Sequence, residues 1–227
     1  MRYSVCMKRP ARSIILCGIK HCGKSTQGKR LAAALGLDFY DTDDLIYDQT
    51  GMDARTLYKS QGKDAFMQAE LKACEYLRDT LQGERTQDQK AAASSDKNSL
   101  QDQKSPPAKK LAVIATGGGI CQNAPAMEIL KALGSIVYLE IDEKSAADRI
   151  IREARFLPDG RIENLPAYIA AKNPSDEAQA RAIFHDFYLE RTQKYKSLAD
   201  VSVKMQGSRE NNCNKILAAL SQCHSRA

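Results

Sequence analysis

The chain has 227 residues, with 34 Lys plus Arg against 28 Asp plus Glu, a formal net charge of +6 and 43% hydrophobic residues. That length suits one domain with room for an insertion and a core that needs no disulfides. No run approaches the roughly 18 apolar residues that a membrane-spanning helix requires. The mild positive excess is unclustered, so it fits an anionic small molecule as well as a nucleic acid and selects neither.

In chain order, residues 1–12 are basic, with Arg2, Lys8, Arg9 and Arg12 and no acid, and the apolar stretch behind them is too short for a signal sequence. Residues 13–17 are continuously apolar after Ser13, which predicts a buried parallel strand. A helix is predicted over 25–35, with Gly36 at its C-cap, followed by a short strand over 37–40. Residues 54–81 read as helix broken near Gln61-Gly62, 111–116 and 136–141 as strands, and 124–133 as the helix between them. Ser175 is the predicted N-cap of a helix running to about Tyr195; a strand at 201–203 and a helix at 214–220 follow. Strands alternating with helices predict an α/β fold in three layers, a central parallel sheet flanked by helices.

One segment breaks the alternation. Residues 83–110 hold a single Leu, no aromatic residue and no Val or Ile, and the tetrapeptide Gln-Asp-Gln-Lys occurs twice, at 87–90 and 101–104. Such a stretch cannot bury enough surface to offset its ordering entropy and is predicted to be a disordered insertion. Its six basic and four acidic residues are too dilute for a nucleic-acid tail. The seven cysteines show no C-x-x-C and no repeating interval, and His21, His185 and His224 form no ligand pattern. They read as small buried hydrophobes in a reducing, cytoplasmic setting.

The chemistry-bearing motif is Gly18-Ile19-Lys20-His21-Cys22-Gly23-Lys24-Ser25, which matches G-x-x-x-x-G-K-[ST] between a predicted strand and a predicted helix. Backbone amides there turn toward phosphate oxygens; Lys24 is the candidate for the β- and γ-phosphates and Ser25 for Mg²⁺. Asp41, Thr42, Asp43 and Asp44 follow the second strand, at the sheet edge where α/β folds bind ligands. In an extended stretch Asp41 and Asp43 point the same way, suited to a magnesium shell and an acceptor hydroxyl, while Asp44 is a candidate N-cap. Thr116 leads into Gly117, Gly118 and Gly119 at the end of another strand, where bare backbone can touch a small ligand.

Together these motifs resemble the shikimate kinases, P-loop phosphotransferases of the nucleoside-monophosphate-kinase type. The resemblance is carried by 18–26, 39–43, Gly62 with Phe66 and Glu70, 113–119, and Arg191 with Tyr195, Ala199 and Asp200. It implies a single such domain over 1–227, with a mobile lid at 152–173, and ATP- and Mg²⁺-dependent phosphorylation of the 3-hydroxyl of shikimate, a step of aromatic amino acid biosynthesis. By the resemblance, Lys24, Asp43 and Arg155 are catalytic, and Gly18, Gly23, Lys24, Ser25, Thr26, Arg149 and Arg155 bind ATP. Asp43, Gly117, Gly118, Gly119 and Arg191 bind shikimate, and Ser25 and Asp41 serve the metal. The implied partners are ATP and a small carboxylate-bearing polyol, with no nucleic acid, no membrane and a monomeric chain. Position 67 departs from the family: Met67 stands where a carboxylate-clamping arginine is usual, and Lys63, four residues earlier on the same helix face, is the candidate replacement. His21 replaces a usual glycine, and the lid lacks the usual proline. Another small-molecule kinase with a different hydroxylated acceptor, and a non-catalytic kinase-like regulatory domain, are the alternatives.

Overall fold

The computed structural model describes residues 10–83 and 110–223. In order, the elements are β1 (Ser13–Cys17), α1 (Lys24–Leu35), β2 (Asp38–Asp41), α2 (Thr42–Thr50), α3 (Ala54–Gln82), β3 (Ala112–Ala115), α4 (Ala124–Leu133) and β4 (Gly134–Glu140). Then come α5 (Glu143–Glu153), β5 (Arg155–Phe156), β6 (Ile162–Glu163), α6 (Ala167–Ala170), α7 (Glu177–Leu198), β7 (Val201–Lys204) and α8 (Arg209–Cys223). Five parallel strands form one sheet in the order β2-β3-β1-β4-β7. β1 and β3 are buried along their whole length because helices cover both faces, which is why their sequences are continuously apolar rather than alternating. The chain leaves β1 toward one side of the sheet and later crosses to β4 on the other. That order reversal opens a crevice above the C-terminal ends of β1 and β3.

The core is built from Ile14, Ile15 and Leu16 of β1, Ile114 of β3 and Val137 of β4, with Leu31 of α1, Leu77 of α3 and Ile216 of α8 packed against them. Tyr138 and Tyr195 stack in it with ring centres 5.4 Å apart and planes 13° from parallel. The Asp200 carboxylate accepts from the Ile136 amide at 2.8 Å, tying α7 and β7 to β4. A second, smaller cluster of Ile46, Leu57, Ala69 and Ala73 joins α2 to α3 and fixes one wall of the crevice.

The predicted strands and helices are present, with shifts at their ends, and the break in α3 falls at Gly62, whose φ of 85° and ψ of −179° suit only glycine. Helices α2, α5 and α6 and the short strands β5 and β6 were not predicted. Thr42–Thr50 is a helix, because Asp41 is its N-cap and accepts from the Asp43 amide at 3.1 Å. The stretch is therefore not extended, Asp43 does not share a face with Asp41 as a strand would place it, and Asp44 is not the cap. Glu143–Glu153 is a helix capped by Asp142, and the cap of α7 is Asp176 rather than Ser175. The stretch predicted as a lid contains a β5–β6 hairpin turned at Asp159-Gly160, where Gly160 has φ 81°. The Lys110 amide donates to the Leu81 carbonyl at 2.9 Å, so the two ends flanking the low-complexity segment meet. Residues 84–109 of that segment lie outside the described residues.

Candidate active site

The phosphate loop leaves β1 and enters α1 through three residues with positive φ, Gly18 (145°), His21 (63°) and Gly23 (100°). Gly23 caps α1 without any side-chain bond, so the first amides of the helix stay directed at the crevice, a ready anion site. Lys24 is buried, and its ammonium donates to the carbonyls of Gly18 and Ile19, each at 2.9 Å. His21 holds its left-handed turn between two groups: its ring nitrogen lies 3.4 Å from Glu153, and its carbonyl accepts from Arg149 at 2.5 Å. Burial lowers the His21 pKa, so the imidazole is neutral at pH 7.

Ser25 Oγ donates to Asp41 Oδ2 at 2.6 Å, and the other Asp41 oxygen caps α2. A hydroxyl and a carboxylate side by side at the loop are hard oxygen donors of the kind Mg²⁺ takes in small number alongside phosphate oxygens. Among the described residues no group of three or more His, Cys, Asp or Glu gathers, so no all-protein cage competes with that pair.

The crevice above β1 and β3 is a cleft of about 1220 Å³. It joins the loop residues Gly23, Lys24, Ser25 and Thr26 to Asp43, Gly117, Gly118, Gly119, Arg149 and Arg191. Gly18 and Asp41 are not among the residues that line it. The Gly117 amide donates to Thr42 Oγ1 at 2.9 Å, which locks the triple-glycine turn to the start of α2. A Cβ on Gly117 would stand 3.1 Å from Asp43 Oδ1 and 3.2 Å from Glu70 Oε1, so two carboxylates converge on that one Cα. Asp43 opens to the cleft; its pKa is raised by the surrounding protein and by Asp41, against the opposing pull of Lys24 and Lys20. Glu70 is 2% exposed and accepts from Asn123 through Oε2 at 3.2 Å, while Oε1 has no partner. Its pKa is pushed up to about 7, chiefly by burial.

Arg191 is buried on α7 with its guanidinium carbon 4.1 Å from the Tyr168 ring centre and 5.2 Å from that of Phe187. It donates to the Gly118 carbonyl at 3.2 Å and reaches the cleft beside Gly119. Contact with two rings holds the cation in place, as a carboxylate clamp requires. Arg155 is placed differently from the rest. It is exposed on β5, 3.8 Å from Glu163, and does not line the cleft, whereas Arg152 of α5 does. Met67 and Lys63 both line the opposite wall.

The motifs left four cleft residues without a role. Lys20 occupies a variable position of the loop, and Arg55 donates from α3 to Asn164 of the lid stretch at 3.2 and 3.0 Å. Arg152 lies one helical turn past Arg149, and Glu70 belongs to the Phe66-containing run but gains its significance only from what surrounds it. For none of these does the residue alone carry a signal; tertiary placement does.

Residues 20–83 and 100–221 match the family model for shikimate kinase. A curated shikimate kinase from Francisella philomiragia subsp. philomiragia is 28% identical over 206 residues, 90% of this chain and 92% of the relative. One from Nitratidesulfovibrio vulgaris is 31% identical over 169 residues, 74% of this chain and 78% of the relative. Among solved structures, a shikimate kinase from Acinetobacter baumannii in complex with shikimate superposes with a TM-score of 0.67 at 25% identity, covering 93% of each chain.

Proposed function

The chain belongs to the shikimate kinase family, and on that premise we propose that it transfers the γ-phosphoryl group of ATP to the 3-hydroxyl of shikimate, giving shikimate 3-phosphate for aromatic amino acid biosynthesis. The observation that carries this reading is the opening of the phosphate loop and of the Asp43, Gly117–Gly119 and Arg191 wall onto one cleft.

Phosphoryl transfer through a loose transition state asks the protein chiefly for alignment and charge neutralisation. Lys24, already held over the loop by its carbonyl bonds, exchanges them for β- and γ-phosphate oxygens, while the amides from Gly18 to Thr26 cradle the remainder. Arg149, whose guanidinium lies against the loop at His21, covers the adenine side. Ser25 and Asp41 would hold Mg²⁺, which would supply neutralisation of phosphate charge. Asp43 aligns the acceptor hydroxyl and takes its proton late in transfer; its raised pKa keeps it a competent base near neutrality. The triple-glycine turn contacts the acceptor ring, and Arg191 pairs its carboxylate.

Residues 152–173 serve as the lid of a single domain. Arg155 reaches the phosphates only once the hairpin swings over the cleft and exchanges Glu163 for them, which also excludes water from the transfer. No described helix is long and apolar enough to cross a membrane. The free thiols of Cys17, Cys22, Cys74, Cys121 and Cys213, all buried, support a reducing, cytoplasmic setting for a monomeric enzyme. A coupled assay of ADP release with shikimate, gluconate and nucleoside monophosphates tests the assignment. Turnover with shikimate supports it, and turnover confined to another acceptor, or none with any, refutes it.

A further inference from the structure

An acceptor carboxylate held by Arg191 alone would be gripped from one side, because the position that a second arginine would occupy is Met67. Two lysines line the same cleft, Lys63 and Lys20, and they differ in setting. Lys63 is exposed just past the Gly62 break, where solvent and salt weaken any ion pair it makes. Lys20 is half-buried and makes no hydrogen bond or ion pair among the described residues.

The position of Lys20 is set by Gly118. A Cβ on that glycine would come within 2.8 Å of the Lys20 backbone nitrogen and 3.1 Å of its Cα, so only a bare Cα lets the loop seat there. Arg191 donates to the carbonyl of the same glycine at 3.2 Å. The Lys20 backbone and the Arg191 guanidinium therefore meet at one residue of the acceptor wall, and both side chains line the cleft beside it. Charged groups around Lys20 are Arg55 and Lys24, which disfavour its ammonium, and Asp43 and Glu153, which favour it. Burial and Arg55 outweigh the acids and lower its pKa, the state of a cation short of a counter-ion. Arg55 is itself engaged with Asn164, and Lys24 with the loop carbonyls, so neither is placed to take a carboxylate.

We propose that Lys20 is a specificity residue for the acceptor, its ammonium pairing the acceptor carboxylate together with Arg191 in place of the arginine that Met67 lacks. This rests on the shikimate reading above and names which side of the loop recognises the acid. A desolvated ammonium interacts with a carboxylate more strongly than the exposed Lys63 does, so the carboxylate is drawn toward the phosphate loop and away from Glu70. The loop then serves both substrates: Lys24 for phosphate, Lys20 for the acceptor.

The test compares wild type, Lys20→Met and Lys63→Ala with shikimate and with its methyl ester. Lys20→Met keeps the aliphatic stem and removes the charge, and is expected to raise KM for shikimate roughly tenfold or more, with KM for ATP within about twofold of wild type. With the uncharged ester, wild type and Lys20→Met should have the same KM. The assignment of Lys20 is overturned by an unchanged KM for shikimate, by a rise that persists with the ester, by a rise in KM for ATP instead, or by a larger effect from Lys63→Ala. Absence of shikimate turnover by the wild type sinks the reaction and this assignment together; turnover with an unaltered Lys20→Met variant sinks the assignment alone.

Discussion

Glu70→Gln should make the protein more stable, by an amount that grows from about pH 4.5 to about pH 7 and is level above. Glu70 is buried, one of its oxygens has no partner, and its pKa stands near 7 against an ordinary 4.5. A carboxyl whose pKa is raised in the folded state binds more protons there than in the unfolded chain, so stability falls as pH rises from about 4.5 to about 7 and is level above. At 1.36 kcal/mol per unit, the full cost of ionising Glu70 in the fold is on the order of 3 kcal/mol. About a third of that has developed by pH 5, so between pH 5 and pH 8 wild type should lose on the order of 2 kcal/mol that the glutamine variant keeps. Glutamine preserves the acceptor for Asn123 and turns an amide toward the Asp43 side, so the packing is undisturbed. Urea unfolding at several pH values, read as the difference between the two chains, isolates this residue from every other titrating group. Parallel stability curves across that range would refute the reasoning, since Glu70 would then titrate alike in the folded and unfolded chain.

Met67→Arg places a guanidinium three residues before Glu70 on α3, within reach of its unpartnered oxygen. It should flatten the same pH slope and lower KM for shikimate by about tenfold, measured by the unfolding series and steady-state kinetics; no change in either would show that position 67 does not face the acceptor carboxylate. Asp43→Asn should lower kcat by at least about 100-fold with KM for ATP maintained. In wild type the rate should fall on the acid side at a pH above the ordinary carboxylate range, because the Asp43 pKa is raised, and that limb should vanish in the variant; a variant with wild-type kcat excludes Asp43 as the base. Gly118→Ala drives a Cβ to 2.8 Å from the Lys20 nitrogen, so the phosphate loop must shift. A displacement approaching 1 Å costs up to about 100-fold in kcat/KM, and both substrates should suffer; unaltered kinetics would mean that the loop yields freely.

The fold was legible where one physical constraint dominates a segment. Strands buried on both faces must be apolar throughout, as 13–17 and 112–115 are, and a helix that ends in a left-handed turn favours glycine, as at Gly36. The break at Gly62 was legible for the same reason. Helix α2 was not, because an acid-rich stretch satisfies a turn and a helix N-terminus equally well. What decides is the Asp41 carboxylate receiving the Asp43 amide, together with Ile46 packing onto α3. Helix α5 carries its buried apolar residues Ala146, Ala147 and Ile150 at helical spacing, but they lie among charged residues and two of them are alanines, which leaves the apolar stripe faint.

The candidate site divides along the same line. Motif positions converge on the cleft because phosphate binding dictates their spacing within one strand–loop–helix unit. Charge balance at the acceptor end has no such local code. Lys20, Glu70 and Arg191 lie far apart in the chain and meet only through the fold that brings the loop after β1, α3 and α7 to one crevice. Their roles are also coupled. Met67 offers no cation beside the acceptor, and one oxygen of the buried Glu70 has no partner, its pKa raised chiefly by burial. Such a cleft binds an acid best if the acid is held away from Glu70, and the cations lining it nearest the triple-glycine turn are Arg191, which donates to Gly118, and Lys20, whose backbone packs on that glycine. The variants at 20, 67 and 70 therefore form one thermodynamic cycle: restoring the arginine should reduce the effect of losing Lys20, and independent effects would break the link between them.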